Sequence, residues 1–287
     1  ILPLNLVKCL SLATVILVVC GHAYSYTEYD EEDNNFPIFY SFNDVISVIN
    51  EQANEYPDEV DQLYQAYYER CNVTEEAHVD AHSARRKPFI VIEGNFRSNR
   101  EAIGKHIARR LEGRMLLTPP SCLANLTNIF PRGSRLRTAF FSLANYVAAF
   151  HVRQLLAQNI PVVMNGYWTD QASFIIGRRF SKSADLPPKG DSLYEFPNDL
   201  TSPDLLFYVN YPFDRHNQPF TTPFPYFKPK KLLIYQRFRY PKMIEVSTSA
   251  GFHHAVNLIY DNIYNLLGRK YDLSFADRMN KYQPPTL

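Results

Sequence analysis

Phe89, Ile90, Val91 and Ile92 form an unbroken apolar run that ends at Glu93 and Gly94, after which Ile103, Ile107 and Leu111 recur at helical spacing. This order predicts a buried strand, a glycine turn and a helix. The same grammar repeats downstream. Short apolar runs predict strands at 114–117, 160–164, 204–209 and 243–246, and periodic stretches predict helices at about 100–112, 135–158, 167–180 and 252–267. Strands alternating with helices predict an α/β fold with a parallel sheet. Upstream, Val45, Ile46, Val48 and Ile49 predict a helix capped by Ser41 or Asn43, and Pro57 opens a second with Val60, Leu63, Tyr64 and Tyr67. Prolines and aromatic residues crowd 211–240 without a period, which predicts a long ordered loop or lid.

The first 23 residues read differently. Lys8 precedes an apolar run from Cys9 to Cys20, and Gly21 and Ala23 are the small residues of a cleavage site, which predicts a secretory signal peptide over 1–23. An uncleaved anchor is the alternative, although the run is short for a span of about 20 residues. A secreted, extracellular protein without a transmembrane span after cleavage is expected. Residues 24–87 read as an acidic arm, a helical extension and a linker whose basic end, Arg85-Arg86-Lys87, offers a processing site. The main domain is expected over 88–268 and a C-terminal tail over 269–287.

Hydrophobic content of 46% and charged content of 21% in 287 residues exclude a fibrous or wholly disordered chain. The net charge of +1 conceals two halves, because 24–87 holds 15 acidic and 4 basic side chains whereas 88–287 holds 14 and 25. An acidic leader and a basic domain attract each other or compete for one surface, and a polyanion ligand is one reading. Cys9 and Cys20 leave with the signal. Cys71 and Cys122 then remain, either as a disulfide between extension and main domain or as two buried thiols. Asn72 and Asn125 each begin an N-glycosylation acceptor pattern.

The runs Pro88–Gly94, Pro119-Pro120-Ser121-Cys122, Arg137–Tyr146, Asn165-Gly166-Tyr167-Trp168 and Phe196–Leu200 with Pro203-Asp204-Leu205 resemble, in order and spacing, the thymidylate kinase family of P-loop nucleoside monophosphate kinases, particularly its mitochondrial UMP-CMP kinase 2 branch. The resemblance covers about 88–267. It implies a three-layer P-loop kinase fold with a five-stranded parallel sheet, ATP at the first loop and a nucleoside monophosphate across the cleft, here with an added N-terminal helical extension. It also implies a monophosphate and base site at Arg137, Phe141, Asn145, Tyr146 and Trp168. Phe141 at helical spacing is equally what a core helix needs.

The departures lie in the phosphate loop. A phosphate-cradling loop has four residues between its glycines and then Lys and Ser or Thr, which reach the phosphates and magnesium. In the stretch Glu93, Gly94, Asn95, Phe96, Arg97, Ser98, Asn99, Arg100, Glu101, the closing positions hold Asn99, Arg100 and Glu101. Arg100 keeps the charge in a planar fork, and Glu101 is expected to set a carboxylate at the helix N-terminus, where phosphate would bind. Phe96 stands where the family has an acidic residue, and Asn165 and Gly166 stand where it has an Asp-Arg pair. Gly104-Lys105 lies inside the helix and does not restore the loop. Arg215, Arg237 and Arg239 in the lid-like stretch read as surface charge. The expectation is a kinase-like binding module without catalysis, with a nucleotide or polyanion ligand and neither cofactor nor metal. The enzyme alternative is a divergent kinase using ATP and magnesium, with Arg100 in place of the lysine and Glu101 on the metal.

Overall fold

The computed structural model describes residues 36–73, 86–211 and 230–273. Strands β1 (Phe89–Gly94), β2 (Arg114–Leu117), β3 (Val162–Asn165), β4 (Leu205–Asn210) and β5 (Met243–Ser247) form an all-parallel sheet in the order β2-β3-β1-β4-β5. The helices are α1 (Phe42–Gln52), α2 (Pro57–Gln65), α3 (Arg97–Arg110), α4 (Ser121–Ala124), α5 (Arg135–Ala157), α6 (Trp168–Arg179), α7 (Lys230–Tyr235) and α8 (Phe252–Leu267). The α/β class and the five-stranded parallel sheet are as expected.

All of β1 is buried, as a central parallel strand covered on both faces must be. Successive residues point to opposite faces and so feed two cores. Phe89, Val91, Met164 and Tyr208 pack with residues of α5, α6 and α7. Ile90, Ile92, Phe207 and Val246 pack with α3 and α8. At the end of β1, a Cβ on Gly94 would lie 2.2 Å from the Val209 carbonyl oxygen, so only glycine lets β1 and β4 approach there.

The helical extension builds a third core on α5. The Ser41 hydroxyl caps α1 by accepting from the Asp44 amide, and Val45, Ile49 and Leu63 meet Phe140 and Leu143. After α2 a π-helical turn, Ala66–Arg70, leads to Cys71, which is disulfide-bonded to Cys122 with 5.2 Å between their Cα atoms. The pair is therefore a bridge and not two thiols.

Several expectations need correction. Helix α3 starts at Arg97, three residues early. Part of the predicted lid is the helix α7, which is too short to show a period, while 212–229 lies outside the described residues. The four-residue α4 and the 3-10 turn Asn125–Asn128 escaped for the same reason. Arg86 and Lys87 are not a free processing site: Arg86 makes two 2.8 Å bonds to the Asp204 carboxylate, and Lys87 is 2% exposed and pairs with Asp272. The signal peptide, the arm over 24–35, residues 78–85 of the linker and residues 274–287 of the tail lie outside the described residues. No helix among the described residues is long and apolar enough to cross a membrane.

Candidate functional site

In an open α/β sheet, ligands bind beyond the carboxyl ends of the strands, where the strand order reverses. Here that place lies beside β1, and a cleft of about 800 Å³ opens among Arg100, Leu117, Asn165 and Gly166. Its far wall comes from α5 and α6, through Phe141, Asn145 and Gln171, and Arg97 and Lys231 supply positive charge.

The β1–α3 turn has only two residues, Asn95 and Phe96, because α3 begins at Arg97. The Asn95 side chain donates to the Tyr211 carbonyl and accepts from the Tyr211 amide, at 2.7 and 2.8 Å, and the Phe96 ring sits edge-on to Tyr211. The turn is thereby tied to the end of β4. Arg97 lines the cleft, and Ser98 and Asn99 complete the first turn of α3.

Arg100 points inward. One Nη contacts the Gly94 carbonyl at 3.4 Å, and the other pairs with Asp170 at 2.8 Å, leaving the side chain 10% exposed. Asp170 also accepts from Lys231. Burial alone would push the Asp170 carboxyl up, but Lys231 and Arg100 outweigh it and hold it below the usual carboxylate range. Beside this pair Glu93 is fully buried and accepts from four donors: the Tyr167 and Asp170 amides at 2.7 and 3.2 Å, and the Thr169 and Tyr235 hydroxyls at 2.6 Å each. Burial and the Asp170 charge push the Glu93 carboxyl up, against the bonds from Thr169 and Tyr235.

Glu101 is placed differently from expectation. It lies past the first turn of α3 and pairs with Lys105 at 2.8 Å, four residues on. It therefore does not occupy the helix N-terminus. Lys105 lowers its pKa. Gly104 packs closely on Met115 of β2 and takes no part in the loop. We expect Glu101→Gln to change stability by no more than about 0.5 kcal/mol, as for an exposed pair, and to leave ATP affinity unchanged. Tighter ATP binding by that variant in calorimetry would return Glu101 to the phosphate position.

The five residues of the expected acceptor site are not brought together. Phe141 and Asn145 line the cleft. Arg137 instead donates to the Thr127 and Phe130 carbonyls and lies over the Phe141 ring. Tyr146 turns away and donates to Asp199 at 2.7 Å. Trp168 is buried, with its indole N–H on the Phe39 carbonyl. Asn165 and Gly166 do line the cleft at the end of β3. Of the lid arginines, Arg237 is bonded to the Pro187 and Leu233 carbonyls, Arg239 lies against Gly190, and Arg215 is outside the described residues. Asn72 and Asn125 are exposed.

Sequence reasoning missed Asp170, Gln171 and Lys231. Asp170 carried one signal, as the acidic residue in the first turn of α6. Its partner Arg100 is 70 positions upstream, and no local pattern links the two.

No family model matches the chain. Human (Homo sapiens) mitochondrial UMP-CMP kinase 2 is 32% identical over 119 residues, covering 41% of this chain and 26% of that protein. The chain thus matches about a quarter of the length of that relative. Among solved structures, thymidylate kinase from Candida albicans aligns over 63% of this chain and 92% of its own, with 14% identity and a TM-score of 0.44. The chain is thus similar over 119 residues to a nucleoside monophosphate kinase, and it folds as a five-stranded parallel sheet with flanking helices.

Proposed function

We propose that this protein is a secreted relative of the nucleoside monophosphate kinases that binds a pyrimidine nucleoside monophosphate and does not transfer a phosphoryl group. The ligand class follows from the name of its relative, UMP-CMP kinase 2. The observation that carries the reading is the pairing of Arg100 with Asp170 inside the protein. Phosphoryl transfer depends on charges positioned around the moving phosphate, and the one cation that the spacing puts in place of the loop lysine is already paired with a carboxylate of the protein.

The residues present do not fit magnesium-ATP. The turn has two residues where a phosphate cradle has four between its glycines, Gly94 is pressed on Val209, and Asn95 and Phe96 are held by Tyr211. The acceptor side is better suited to a ligand. Arg97 would draw a phosphate, and Phe141 offers an aromatic face beside Asn145.

Secretion rests on the leader over 1–23, and the Cys71–Cys122 bridge agrees with an oxidising compartment. The exposed Asn72 and Asn125 are the proposed glycan acceptors.

The test is phosphoryl transfer from ATP to UMP, CMP and dTMP with magnesium. We expect no turnover above background. Rates of about 1–100 per second, ordinary for kinases, would overturn the reading, and their loss in Arg100→Ala would then establish the divergent kinase.

A further inference from the structure

The cleft holds a chain of amides whose orientations are dictated one by another. The Thr138 backbone carbonyl can only accept, so the Gln171 nitrogen must face it, at 2.9 Å. The Gln171 oxygen is then an acceptor, taking the Ser142 hydroxyl at 3.1 Å and the Asn145 nitrogen at 3.0 Å. Asn145 has no freedom left. Its amide nitrogen is committed to Gln171, and its Oδ1 is an acceptor with no partner among the described residues, on a side chain that is 1% exposed and lines the cleft. A buried acceptor without a donor costs free energy that a ligand can recover. A second buried cleft residue, Asn165, also has its Oδ1 without a partner among the described residues.

Phe141 stands one helical turn before Asn145 and lines the same cleft. A planar base lying on the Phe141 ring would present its edge to Asn145. We infer that Gln171 locks Asn145 as an obligate acceptor, so that the cleft selects a base carrying an N–H on that edge, either an exocyclic amine or a ring imide. This deepens the nucleotide-binding reading above and depends on it. Gln171 is a positioning residue in this scheme, and Asn145 makes the contact.

The experiment is calorimetric titration of the full chain with CMP, UMP and the monophosphate of the pyrimidin-2-one riboside. That analogue lacks both the amine and the imide N–H and is no bulkier than cytosine. CMP, UMP or both are expected to bind at least about tenfold more tightly than the analogue, and whichever does so tells which N–H is read. In Gln171→Leu the amide of Asn145 is free to turn, and the difference should shrink. In Asn145→Leu it should vanish. Equal binding of all three ligands by the unaltered protein would overturn the inference while leaving nucleotide binding intact, and needs no variant to fold. A difference that persists in both variants would also overturn it. No binding of any of the three would overturn the nucleotide-binding reading itself.

Discussion

Glu93→Ala is expected to lose about 4 kcal/mol or more of folding stability. Two backbone amides and two hydroxyls converge on this one fully buried carboxylate. The Tyr167 amide and the Thr169 and Tyr235 hydroxyls would lose this acceptor, the Asp170 amide keeping the Tyr167 carbonyl at 3.1 Å, and each buried donor left without an acceptor costs about 1–3 kcal/mol, with the emptied volume adding to the loss. Glu93→Gln should be much milder. Its carbonyl oxygen would keep the two amides, and its nitrogen would face the Thr169 and Tyr235 hydroxyls, which can turn to accept. Urea unfolding measured on the three proteins reads both effects. An alanine variant within about 1 kcal/mol of the parent would show that the network does not stabilise the fold.

Loss of the Cys71–Cys122 bridge through Cys71→Ser should cost about 4 kcal/mol, because the bond closes a loop of 51 residues in the unfolded chain. The effect should be local in its first appearance. The bridge joins the π-helical turn after α2 to α4, which leads on to the segment before α5, so amide exchange in 42–70 should accelerate before exchange in the sheet. Equal urea midpoints for oxidised and Cys71→Ser protein would mean that the third core alone holds the extension. That core is substantial, with Ile49, Leu63, Phe140 and Leu143 all fully buried.

Much of the fold was legible because strands and helices are written in local periodicity. The run Phe89–Ile92 announces a buried strand at any distance from its partners, and the five predicted strands lie within two residues of the observed ones. The start of α3 differs because its apolar period begins only at Ile103, and the polar first turn, Arg97–Arg100, carries nothing periodic to mark it. The observed start at Arg97 carries Glu101 past the first turn and changes its reading from an obstacle at a phosphate site to an exposed partner of Lys105. Helix α7 was hidden in a proline-rich stretch, and with it Lys231 and Tyr235.

The sequence by itself determined the α/β class, the strand that carries Glu93 and Gly94, Cys71 and Cys122 as a candidate pair, and the absence of a Gly-Lys-Ser/Thr pattern after Gly94. These are statements about neighbouring residues and spacing. Only the tertiary structure decided that Arg100 is spent on Asp170, that Arg137, Tyr146 and Trp168 are engaged by Thr127, Asp199 and Phe39 while Phe141 and Asn145 line the cleft, and that Gln171 orients Asn145. The physical reason is that charge pairing and hydrogen bonding depend on distances of about 3 Å between groups far apart in the chain, and a sequence does not measure those distances.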